Sequence, residues 1–122
     1  MPHIVFASPL RLNEMAERYE EVQHAEDGIN IHLMKAFLGK EALLIEAHIG
    51  EPTITQHVAL MIIMRVEPDT PGAVEYTIQL GSIGQARPTP GIHRAVRLVA
   101  DWILSLHPEN RVIKEKVGVS GE

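Results

Sequence analysis

The sequence predicts an α+β domain: a mainly antiparallel sheet of four to five strands backed by two helices, in two layers. Three observations carry this expectation. Segments near 29–38, 42–50, 54–67 and 73–80 alternate apolar and polar residues; helical spacing marks the stretches near 10–24 and 90–107; turn-forming residues separate most of these elements. With 122 residues, 45% of them apolar, residues 1–122 make one domain that can bury a core without disulfides or metal staples.

At the start, His3 to Ala7 reads as a short strand. Ser8-Pro9 then supplies an N-cap and a first helical residue, and Leu12, Met15, Tyr19 and Val22 recur at steps of three and four. Together they predict a helix from about Leu10 to His24, broken by Asp27-Gly28, although Glu20, Glu21 and Glu26 crowd the end where the helix dipole disfavours negative charge.

In the first long strand Ile29, Ile31, Leu33 and Phe37 take the odd positions, as do Leu43, Ile45, Ala47 and Ile49 in the second. A turn at Gly39-Lys40-Glu41 keeps both sets on one face by setting Ile31 opposite Ile49. Apolar parity then switches to even in Ile54, Val58, Leu60, Ile62, Met64 and Val66, which a loop around Glu51-Pro52-Thr53 accommodates by pairing His48 with His57. Val74, Tyr76, Ile78 and Leu80 keep even parity after a turn at Pro68 to Gly72, and Arg65 falls opposite Glu75. Thr89-Pro90 opens the second helix, whose stripe is Ile92, Val96, Val99, Trp102, Ile103 and Leu106, and His107-Pro108 ends it. Arg111 to Val117 reads as a lysine-protected edge strand.

This register leaves the second face of the sheet apolar, with Met34, Ala36, Leu38, Leu44, Ala59, Met61 and Ile63. Two helices, each about 10 Å across, cover one side of a sheet about 24 Å wide and leave nothing for the other. The expectation is a homodimer joined through Met34, Leu38, Leu44, His48, His57, Met61 and Ile63.

Net charge of −5 offers no attraction to phosphate backbones, so nucleic acid is not an expected partner. The chain has no cysteine, which excludes thiol chemistry. The opening residues lack the pattern of a signal peptide, and no apolar run reaches the 18 or so residues of a membrane span, so a soluble cytoplasmic protein without membrane contact is expected.

Two clusters carry chemistry. His32, His48 and His57 form a row across three strands with Glu46 one step away, a set with the donors for a metal or for acid-base hydrolysis. No two of these histidines are separated by one residue, and neighbours about 5 Å apart must bend strongly to share an ion. A role lining an interface is therefore the stronger expectation, with a small metal-dependent or acid-base hydrolase as its rival. No cofactor is expected, and binding or assembly is preferred over enzyme chemistry. The second cluster is Arg87, Gly91, His93 and Arg94 at the start of the last helix, where basic groups beside free amides suit a small anionic ligand. The serines sit in no nucleophile context, and no catalytic residue emerges.

Overall fold

The computed structural model describes residues 3–65, 74–80 and 89–116. Its elements are β1 (His3–Ser8), α1 (Leu12–Glu17), β2 (Val22–Glu26), β3 (Ile29–Leu38), β4 (Ala42–Gly50), β5 (Thr55–Arg65), β6 (Val74–Leu80), α2 (Pro90–Leu106) and β7 (Arg111–Lys116). The strands form one antiparallel sheet in the order β2-β3-β4-β5-β6-β1-β7, curled into a half-barrel with two helices. This corrects the expected fold class: the protein is mostly sheet, with seven strands rather than four or five, and one of its two helices is short.

The first helix is where the expectation fails most. Ser8 does not cap it; its hydroxyl accepts from the Leu10 amide at 3.0 Å in a local turn. The helix begins at Leu12, where Glu14 reaches back to the Arg11 amide at 3.1 Å, and it spans six residues. Residues 22–24, expected to be helical, open β2 instead. Asp27 and Gly28 have φ of 53° and 78°, the double positive-φ pair of a two-residue hairpin turn, and they fold β2 back on β3 with Glu26 opposite Ile29. Glu20 and Glu21 would set negative charge at the end of a longer helix, where its dipole opposes them. The apolar residues still reach the core: Leu12 and Met15 are buried, Tyr19 packs edge-on against Trp102 at 5.5 Å, and Val22 lies opposite Leu33.

Among the long strands the pairing follows the alternation. Ile31 faces Ile49, His48 faces His57, and Arg65 faces Glu75. One irregularity intervenes. Between Leu33 and Ala36 the β3–β4 register shifts by one, so Ala36 pairs with Ile45 and Phe37 with Leu44. Because side chains alternate faces, the shift turns Ala36 to the core and Phe37 outward, the reverse of the expected arrangement.

A single cluster joins both helices to one face of the sheet. Ile45, Ile49, Leu60, Ile62, Ile78 and Phe6 meet Met15 of α1 and Ile92, Val96, Val99 and Ile103 of α2, all essentially inaccessible. Tyr76 stacks on Phe6 at 5.2 Å and donates its hydroxyl to the Leu10 carbonyl at 2.6 Å, tying the β1–α1 connection to β6. Burial pushes the Tyr76 hydroxyl pKa above the ordinary tyrosine value. No helix of the described residues is long and apolar enough to cross a membrane.

Candidate functional site

With both helices on the core face, the other face of the sheet holds most of the expected site residues, arranged in levels by the strand pairing. Phe37, Leu44 and Met61 form one level across β3, β4 and β5, and Ile63 lies beyond them opposite Ala42. Glu46 and Ala59 form the next level, and His32, His48 and His57 the one after. Apolar side chains thus gather at the end of the face near the β3–β4 turn, and imidazoles gather toward the other end.

Met34, Leu44, Met61 and Ile63 are half-buried, supported by their neighbours yet not covered by α1, whose Leu12 and Met15 belong to the core on the opposite side. Leu38 does not join them. Its pairing with Leu43, a core residue, sets it on the core side at the sheet margin, where it is 51% exposed. Phe37, 49% exposed, takes the outward place instead, and sequence reasoning assigned it to the core because alternation alone carries no sign of a bulge.

Two depressions mark this side. One of about 190 Å³ is lined by Met34, Leu44, Glu46, His57 and the small Ala59, with Ala47 and Val58 also at its wall. The other, about 510 Å³, lies toward the β2 edge, lined by Gln23, His24, Asn30, His32 and His48 among others. The histidine row exists as the sequence implied, since His32 pairs with His48 and His48 with His57. The His48 and His57 rings meet edge to face with centroids 4.6 Å apart, while His32 Nε2 turns to the Glu21 carboxylate. His24 Nε2 lies 3.3 Å from Glu26 Oε2 at the same edge. Glu46 is exposed and shares the smaller depression with His57. Among the described residues, no three histidine, aspartate or glutamate side chains form a set able to hold a metal ion. With Glu21 drawing His32 aside and the other two rings set edge to face, the expected donor set does not gather around one point.

At the start of α2, the chain places a carboxylate of its own. Glu51, in the β4–β5 turn, accepts the Thr89 hydroxyl at 2.6 Å and the Gly91 amide at 3.1 Å. Thr89 caps the helix through the Ile92 amide, and Gln56 donates to the same hydroxyl at 3.3 Å. A carboxylate at a helix N-terminus satisfies free amides and complements the dipole. Gly91 is needed for this approach, since a Cβ there would lie 2.5 Å from Ile49 Cγ2 and 2.9 Å from Glu51 Cδ. His93 is buried beneath the helix, and Arg94 reaches the Glu26 carbonyl at 3.0 Å and Asp27 Oδ2 at 3.2 Å, bracing the β2–β3 turn. Arg87 lies outside the described residues. Glu51 was missed as a functional partner of this helix because nothing local in a turn glutamate marks a partner forty residues on.

The Tyr19 hydroxyl donates to the Met34 carbonyl at 3.0 Å, close behind the apolar end of the outer face. Burial, aided by the negative charge of Glu21, pushes its pKa up to about 12. No known protein family, curated protein or solved structure matches the chain.

Proposed function

We propose that this chain is a small cytoplasmic binding and assembly protein that works as a homodimer, joined through the outer face of its sheet. The observation that carries the reading is the level of Phe37, Leu44 and Met61, extended by Ile63 and Met34, on a face turned away from both helices. Contiguous apolar surface of this kind marks an association site, and for a small chain the commonest partner is its own copy. The area suits that partner. Strands β2 to β6, about 4.8 Å apart and five to eleven residues long, span about 650 Å², approaching the 800 Å² or so that each partner of a stable interface contributes. Charge suits it as well: one carboxylate, Glu46, beside a row of imidazoles leaves the centre of the face without a dominant sign to repel its copy. A chain without cysteine is at home in a reducing compartment.

Sedimentation equilibrium at micromolar concentration tests the reading. The expected mass is twice the 13.6 kDa of one chain. Leu44→Glu, which sets a charge at the centre of the apolar level, is expected to yield a monomer with an unchanged far-UV circular dichroism spectrum. A monomeric parent chain refutes the proposal.

A further inference from the structure

We infer that Phe37 is the anchor of the association: the ring of each copy enters the depression over Ala59 on the other. The inference rests on the homodimer reading and adds to it the side chain that docks and the pocket that receives it.

A single small residue makes the pocket. On the outer face of β4 and β5, Ala59 sits among the larger Leu44, Met61 and Ile63 and is only 2% exposed, so it forms a floor. Glu46, its cross-strand partner, is exposed, and Met34 and Leu44 supply apolar walls. The space of about 190 Å³ lies below the 300 Å³ or so at which small-molecule pockets begin. A hollow of that size with apolar walls suits one inserted side chain, which is how the anchors of protein interfaces are seated.

The occupant is selected by exposure and by face. Among the described residues, three large apolar side chains are exposed: Phe37, Leu38 and Ile113. Leu38 lies on the core side, and Ile113 belongs to β7, three strands beyond β5 at the margin of the sheet. Phe37 remains, on the same face as the pocket and one level from it. Its outward aim is produced by the β3 bulge, a device that commonly re-aims a side chain at a functional surface. Phe37 cannot fill the pocket of its own chain. Ala59 is two strands and one level away, about 12 Å by the spacing of strands and residues, beyond the reach of the ring.

In a two-fold pair the contact is reciprocal, so each copy gives one ring and receives one. The pocket centre lies about 7 Å along the strands and about 6 Å across them from Phe37. A two-fold axis that exchanges these two points runs at about 45° to the strands, and the two sheets then cross at about 90°, the orthogonal one of the two ways in which sheets pack face to face. The seated ring meets Met34 at the pocket wall, a sulfur-aromatic contact that adds to the apolar area removed from water.

Sedimentation equilibrium of the full chain and its variants tests the inference, with far-UV circular dichroism as the check on folding. Ala59→Leu fills the pocket while adding apolar surface, and it is expected to raise the dimer Kd at least about tenfold; Phe37→Ala is expected to raise it about 100-fold. Association through undirected apolar surface would instead be unchanged or tightened by Ala59→Leu. The parent chain supplies a second measurement that needs no variant. In a dimer mixed from unlabelled and ¹³C-labelled copies, filtered nuclear Overhauser spectra are expected to connect the Phe37 ring of one copy to the Ala59 and Met34 methyl groups of the other. A monomeric parent overturns the homodimer and this inference together. A dimer whose folded Ala59→Leu form keeps a Kd within threefold of the parent or below it, or whose filtered spectra lack the Phe37–Ala59 contact, leaves the homodimer standing and overturns this inference.

Discussion

Replacing Glu51 with alanine removes the carboxylate that joins the β4–β5 turn to the start of α2. Two hydrogen bonds are lost, from the Thr89 hydroxyl at 2.6 Å and the Gly91 amide at 3.1 Å, together with a negative charge at the positive end of a 17-residue helix. Loss of a cap of this kind costs about 1 kcal/mol, and the charge at the dipole about 0.5 kcal/mol more. The half-buried setting limits how far water can replace the missing acceptor, so the total is expected near 2 kcal/mol. For a domain of this size that corresponds to a fall in Tm of about 8 °C. Urea denaturation followed by circular dichroism measures the change directly, with the dependence on denaturant unaltered. Glu51→Gln keeps an acceptor while removing the charge, and is expected to lose about half as much. If Glu51→Ala unfolds within about 0.5 kcal/mol of the parent, the carboxylate is not what holds the helix start, and the structural account of this end of the molecule is wrong.

Two further outcomes follow from particular residues. Gly28→Ala forces a Cβ into a backbone with φ of 78° and is expected to cost about 1 kcal/mol in urea denaturation, with Gly28→Asn closer to the parent because asparagine tolerates that conformation; equal stability of all three would refute the hairpin turn. Tyr19, held up at about 12 by burial and Glu21, stays protonated in the folded chain while a tyrosine in the unfolded chain ionises near 10. The resulting stability is fully present below pH 10 and is lost as the pH rises toward 12; Tyr19→Phe should weaken that alkaline loss in thermal scans, and an unchanged loss would show that Tyr19 does not carry it.

Much of the sheet was legible because its side chains obey a period of two and its turns are short. Parity alone brought Ile31 to Ile49, His48 to His57 and Arg65 to Glu75. The histidine row was legible for the same reason. Asp27-Gly28 carried a hairpin signal that the helical spacing of Leu12, Met15, Tyr19 and Val22 obscured: Leu12 and Met15 lie in the helix, Tyr19 follows its end, and Val22 is the first residue of a strand facing Leu33. Phe37 and Leu38 exchanged faces through a bulge, which costs one residue of register and leaves no mark in composition.

Taken by itself, the order of residues determined the identity of the central strands, their partners, the capped helix at Thr89-Pro90, and the presence of apolar side chains on both faces of one sheet, because each depends on neighbours within a strand or across one turn. Tertiary structure alone decided that β1 sits between β6 and β7, that residues 22–26 extend the sheet as an edge strand, and that Glu51 meets the start of α2. Those outcomes depend on contacts between segments far apart in the chain, where competing local preferences differ by about 1 kcal/mol and the core that both helices share settles the balance.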